Sequence, residues 1–454
     1  MSASAEGSAE PRAGYGRGAA ILSVGIGVTG LVTYAYFSLA SHNLSDADYG
    51  GVTLLWSAVF IVVSVLYRPV EQLLSRTIAD RDARGQTGSE HLRVAATIQL
   101  GLGLVFAVLA LALRGPIEDD LFGGSSTLYW VLIAAVLMYA ASYFARGFLA
   151  GHRRFGLWGL LVLLEAISRV CFPLAVAVGI ATGQSAVALG IAAAPLFSLA
   201  VVPWALRRRL RAAGADDPAP TDATPEQAEF TLAHGAGFAG AVLLIMVAEQ
   251  TFLNAGPLLV KATEGGAEGA ALAGFAFNVL LIARAPLQLF QSVQTSILPH
   301  LTTLSASGDV ETFRRSVNVT LRAIAGFAAA VALAMLALGP PIMEVAFGSD
   351  AEYERGGLVL VAAGMGLYLA AATLNQAALA RGRTREAAAC WVGSAAAFVV
   401  LLLIPGFDDR VLQVEVAYVG GALLLSALLY GLYRKGLAQT PGERDNVVRG
   451  AHLG

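Results

Sequence analysis

Charge is what this sequence has least of. Only 14% of its 454 residues are charged while 56% are hydrophobic, and a soluble domain carries about a quarter charged. So little charge excludes an ordinary water-soluble globule and points to hydrocarbon as the solvent. The formal net charge is −2, and without a basic excess no nucleic-acid partner is expected. Cysteine is nearly absent too: Cys171 and Cys390 stand far apart in apolar runs, which excludes a metal spacing and leaves two small core residues. No GxxxxGK[ST] loop occurs, so the chain alone is not expected to hydrolyse nucleotide, and neither an enzyme nor a bound cofactor is expected. Residues 1–17, "MSASAEGSAEPRAGYGR", lack the apolar core and cleavage site of a signal peptide. They read as a polar cytoplasmic tail, with the first hydrophobic helix directing insertion.

Long apolar runs are what is there. A hydrocarbon layer about 30 Å thick needs about 20 apolar residues per helix. Segments of that kind fall near 18–40, 50–76, 93–114, 127–150, 156–181 and 185–206. Six more fall near 234–260, 270–299, 317–339, 356–380, 386–405 and 412–433. The 50–76 and 270–299 segments are overlong, hence tilted or kinked. Basic residues alternate between the connections. One set holds most of the Lys and Arg, while the other has Arg114, Lys261, Arg355 and Arg410 among acidic runs such as "IEDD" and "SDAEYE". Positive charge stays on the cytoplasmic side, which predicts both termini inside a plasma (inner) membrane. The expected fold is an all-α polytopic membrane protein of about 12 transmembrane helices.

Residues 207–233, basic and then rich in Pro, Ala and Asp, read as a cytoplasmic linker. It separates a six-helix lobe at 18–206 from a second at 234–435, followed by a tail at 436–454. The lobes also match in sequence. "YRPVEQLLSR" (67–76) aligns with "ARAPLQLFQS" (283–292), and "GFLAGHRRF" (147–155) resembles "AALARGRTR" (377–385) at an offset of 230. Six helices per lobe predict a parallel repeat: two pseudo-twofold-related bundles around a central cavity, where transporters of this build commonly hold substrate.

Three arginines, Arg68, Arg169 and Arg284, fall inside predicted helices, where each costs about 2.5–3.5 kcal/mol at the helix centre. Arg284, Gln288, Gln291 and Thr295 lie within about 60° of one another on a helix. Arg68, Gln72 and Ser75 form the matching stripe in the first lobe, with Pro69 and Pro286 allowing local kinks. These arginines either line a cavity and bind substrate or tie neighbouring helices together. Glu165 and Arg169 stand at i, i+4, which suggests an ion pair on one face; it either eases insertion or acts as a gate. Its +230 positions are Ala395 and Val399, so the pair has no duplicate. Glu249 sits mid-helix with Gln250 and Asn254 close by, a candidate to carry a coupling H+ or Na+ or else to pair with an arginine. Asn375 and Gln376 read as interhelical hydrogen-bonding groups, and His42 and His300 as interfacial.

"TIADRDARGQ" (77–86) resembles the Asp-Arg-x-Gly loop of major-facilitator transporters, with Asp82 and Ala83 displacing the glycine. A fuller resemblance lies elsewhere. "LASHNLSDADYGGVTLLWSAVFIV" (39–62) carries Leu44, Ser45, Tyr49 and Gly50 in the pattern Leu-Ser/Thr-x-x-x-Tyr-Gly, and "LPHLTTLSASGDVETFRRSV" (298–317) ends a helix at a proline before Gly-Asp and a basic segment. With twelve spans and a central linker, roughly 18–435 resembles the oligosaccharide flippases of the multidrug/oligosaccharidyl-lipid/polysaccharide exporter superfamily. That resemblance implies a transporter turning a polyprenyl-pyrophosphate-linked glycan across the bilayer by alternating access. Glycosyltransferases or a polymerase of the same pathway are the implied partners. Arg68, Arg169 and Arg284 would hold the pyrophosphate, Gln72, Gln288 and Gln291 the sugars, and Glu165, Glu249 or Asn254 would serve ion coupling or gating. The competing readings are a multidrug or cation antiporter of the same superfamily, a non-transporting scaffold for cell-wall assembly, and a flippase for the peptidoglycan precursor.

Overall fold

The computed structural model describes residues 10–86, 88–201, 203, 232–306, 308–348, 353–404 and 406–438. The expected linker up to residue 231, most of the N-terminal tail and the chain beyond 438 lie outside them. Thirteen α-helices run through the described residues: α1 (Glu10–Asn43), α2 (Asp46–Leu66), α3 (Arg68–Ala83), α4 (Glu90–Ala112), α5 (Ser126–Gly151), α6 (Phe155–Ala177), α7 (Gly183–Ser198), α8 (Leu232–Glu264), α9 (Gly266–Ala306), α10 (Val310–Phe347), α11 (Arg355–Ala380), α12 (Thr384–Leu403) and α13 (Arg410–Ala438). A short π-helical turn, Pro116–Leu121, precedes α5. Ten of the helical segments are long and apolar enough to cross a membrane. The two other expected spans correspond to α1 and to the shorter apolar helix α7. The chain is an all-α, multi-pass membrane protein.

Local chemistry sets the boundaries. Ser45 caps α2, its Oγ accepting from the Asp48 N–H at 3.2 Å, and Asp46 and Asp48 complement the positive end of the helix. Asp309 caps α10 in the same way from the Thr312 N–H at 2.9 Å. Those hydrogen bonds hold its carboxyl below the usual carboxylate range. The overlong span at 50–76 divides at Tyr67, because Pro69 cannot donate back to the preceding turn. α9 runs on through Pro286 without a break. Arg68 therefore opens a helix, whereas its expected counterpart Arg284 lies within one.

The helices gather into two compact units. The first is residues 1–206 with 261–274 and 347–349, and the second is 207–260 with 275–346 and 350–454. In the first unit α5 is central and packs against α2, α3, α4, α6 and α7, while α1 lies along α6. Gly147 and Gly151 on α5 admit α3: a Cβ at Gly147 would stand 2.9 Å from the Glu71 carbonyl oxygen, and one at Gly151 2.7 Å from Ile78. The first turns of α9 also belong here. A Cβ at Gly50 of α2 would collide with the Ala270 backbone, and one at Gly274 would lie 3.1 Å from the Gly50 Cα. The Tyr-Gly pair of the sequence pattern thus marks a backbone-to-backbone crossing. In the second unit α13 packs along α11 and α12.

The units repeat one design. α5 and α11 begin and end 229 residues apart, as α6 and α12 begin. Arg153 and Gly382 close the two helix ends in the same left-handed conformation, φ 55° and 72°. The turn fixes the offset one residue below the expected 230, because the left-handed residue must follow the helix by two positions in both units. The counterparts of Glu165 and Arg169 are therefore Ser394 and Phe398, in place of Ala395 and Val399.

Candidate functional site

The first unit holds a buried polar network between α5 and α6. Tyr139, Ser142, Tyr143 and Arg146 lie along one face of α5, and Trp158, Glu165 and Arg169 along the facing side of α6, at the spacing that brings helix residues to one side. Glu165 is 3% exposed. It accepts from Ser142 Oγ at 2.7 Å and forms an ion pair with Arg146, whose guanidinium also lies 4.6 Å over the Tyr143 ring. Nearby, Trp158 Nε1 donates to Glu71 Oε1 at 3.2 Å, and Arg146 and Arg68 both act electrostatically on the Glu71 carboxylate. The network is charged and nearly self-neutralised.

The expected Glu165–Arg169 pair does not form. Both side chains point towards α5 but meet different partners: the acid meets Arg146, and Arg169 meets aromatic groups. Arg169 is 4% exposed. Its Nη2 donates to the Tyr139 hydroxyl at 2.7 Å, and its guanidinium sits 4.7 Å from the Trp56 ring and 5.8 Å from Phe60. No carboxylate neutralises it among the described residues. It is a desolvated cation held by π-faces and one hydroxyl.

At the corresponding place in the second unit the charges are gone. Asn375 stands for Arg146, Ser394 for Glu165 and Phe398 for Arg169. Phe398 stacks on Phe252 at 5.1 Å, and Phe252 meets Tyr368, the counterpart of Tyr139, edge-on at 5.8 Å. Asn375 accepts from Trp391 Nε1 at 3.1 Å. The same helix pair therefore closes well around an aromatic core.

Other expected residues disperse. Arg284 ties α9 to α8: it donates to the Leu253 carbonyl and to Asn254 Oδ1 at 3.1 Å, and it lies 4.4 Å over the Phe277 ring. Asn254 in turn donates to Gln250 Oε1 at 3.0 Å. Glu249 is half-buried on α8. Arg68 is half-buried at the start of α3, and Gln72 is exposed one turn on. Gln288, Gln291 and Thr295 belong to the stretch of α9 whose side chains lie outside the described residues. The sequence did not single out Arg146, near the end of the 127–150 span, or Glu71 beside Arg68. The helical face Tyr139-Ser142-Tyr143-Arg146 was the signal that could have found the first.

No family model matches the chain. It is similar to an uncharacterized protein of Mycobacterium tuberculosis (strain ATCC 25618 / H37Rv), 27% identical over 394 residues and covering 83% of each chain. An uncharacterized protein of Mycobacterium bovis matches equally. Among solved structures, an inward-facing multidrug resistance MATE family transporter of the MOP superfamily shares 15% identity at a TM-score of 0.66, over 92% of this chain and 98% of that one. A eukaryotic MATE transporter shares 14% at a TM-score of 0.61, over 93% and 97%. The fold is the one found in MATE transporters.

Proposed function

We propose that this chain is an alternating-access transporter that turns a polyprenyl-pyrophosphate-linked glycan across the plasma membrane, with both termini cytoplasmic. The observation that carries the reading is Arg169: buried, without a counter-ion among the described residues, at a place where the repeated unit packs with Phe398 instead. Packing does not require the charge, so the fixed cation is kept for an anion. A guanidinium suits phosphate oxygens, which it binds bidentately. Glu165 does not cancel the charge, because Arg146 already occupies it. Arg68, beside Glu71, would meet the same headgroup when the unit opens. Gln72 would meet sugar hydroxyls, and Glu249 would carry the coupling H+ or Na+. Glycosyltransferases or a polymerase of the same pathway would supply and consume the glycan.

The second reading, a multidrug antiporter, is favoured by the MATE fold itself. It sets a cationic substrate against an un-neutralised arginine, which is repulsive at low dielectric. The two separate in a deletion strain complemented with Arg169→Ala. The expected result is accumulation of the lipid-linked glycan, with export down about tenfold or more, membrane insertion intact and drug sensitivity unchanged. Normal glycan export with lost drug resistance would replace this reading with the antiporter.

A further inference from the structure

Glu415, on the second turn of α13, is 6% exposed. Unlike Glu165, its carboxylate meets no hydrogen-bond donor or cation among the described residues. It presses against α11 at Gly357, where an added Cβ would collide with both carboxylate oxygens. Gly357 is thus what lets the group enter between the two helices. The charged groups that act on it are Asp409, which caps its own helix by accepting from the Val411 N–H at 2.8 Å, and Glu354, at the N-cap of α11. Both are acids, so neither neutralises it. The cations at this end are engaged elsewhere: Arg410 donates to Gln413 at 2.8 Å and Arg355 to the Leu336 carbonyl at 3.3 Å. On α12, Arg385 and Glu386 lie at the opposite end. On α8, which also meets α13 where Gly256 faces Val414, Lys261 donates to the Gly266 carbonyl at 2.5 Å and Glu249 lies two turns away from Gly256. The carboxylate here has lost most of its water and gained no hydrogen-bonding or cationic partner, so its two protonation states pack differently against Gly357.

We propose that Glu415 is a proton-binding site that governs the packing of α11 against α13. It takes up a proton from the aqueous phase when the helices close on it and releases one when they part and admit water. In a transport cycle this proton would be a second coupled ion beside the one assigned to Glu249. That use rests on the transport reading above, but the test does not.

The full-length protein in lipid nanodiscs is followed by infrared difference spectroscopy through a pH titration, with hydrogen exchange of the α11 amides in parallel. Wild type is expected to show the carbonyl stretch of a buried carboxylic acid, lost as pH rises, while amide protection around Gly357, measured against the base-catalysed intrinsic exchange rate, falls over the same interval. Glu415→Gln should lack the band and leave amide protection, relative to the intrinsic exchange rate, flat with pH. Glu415→Asp, one methylene shorter and drawn back from Gly357, should keep a band with a shifted midpoint. A titrating band that persists unchanged in Glu415→Gln, or no titrating band in wild type, overturns the proposal. Neither readout involves a substrate, so failure of the transport reading would leave this result standing, and the reverse.

Discussion

Arg146 and Glu165 show what a buried charge demands of its neighbours. Each is tolerable because the other is there, with Ser142 filling a remaining lone pair. Glu165→Ala strands the Arg146 charge, and a loss of about 3–5 kcal/mol is expected, read as a fall in the thermal midpoint in detergent. The second unit supplies a ready-made rescue. Arg146→Asn combined with Glu165→Ser installs the uncharged residues that stand at 375 and 394, and removing both charges together should recover most of that loss. A double variant as unstable as Glu165→Ala alone would refute the equivalence of the two positions. Arg169 behaves differently: its attraction to Trp56 and Tyr139 does not cancel its charge, so truncating it should alter function more than stability.

Among elements, the turn between α5 and α6 shows two sequences meeting one requirement. Gly382 adopts φ 72° without steric cost, while Arg153 holds φ 55° with a Cβ in the way. Arg153→Gly should therefore stabilise the first unit by about 1 kcal/mol, and Gly382→Ala should cost the second a similar amount. Chemical denaturation resolved by fluorophores in each unit checks both signs. The α2–α3 break illustrates the opposite lesson. Pro69 and Pro286 look alike in sequence, yet one ends a helix and the other does not, because what the rest of the fold packs around a missing hydrogen bond decides whether it opens the chain.

For the whole molecule, the crossing of α2 over the start of α9 carries a consequence. Residues 261–274 belong with the first unit although more than fifty residues separate them from 1–206 in sequence. A chain cut between 207 and 230 and expressed as two pieces should therefore still co-purify near one to one. Gly50→Val, which thrusts a branched side chain into the Ala270 backbone, should abolish that association. Recovery of the pieces as separate species without the substitution would contradict the crossing.

The sequence by itself determined the class: poverty of charge, the spacing of apolar runs and the repeated basic loops fix a multi-pass helical membrane protein of two similar halves. Solvent dictates those features residue by residue, so they are visible without a fold. It also picked out Arg169 and Arg284 as costly residues in need of a reason. Partners were decided only by tertiary structure. Glu165 chose Arg146 over Arg169, and Arg284 chose the Leu253 carbonyl and Asn254. Glu415 found no partner and lay against Gly357. Periodicity says which residues share a helix face, but the neighbour that face meets, and the rotation at which it arrives, is set by close packing between distant segments such as Gly147 against Glu71. One residue in the repeat offset was enough to exchange Val399 for Phe398, and with it an unexplained gap for an aromatic core that shows what the fold does when it has no charge to keep.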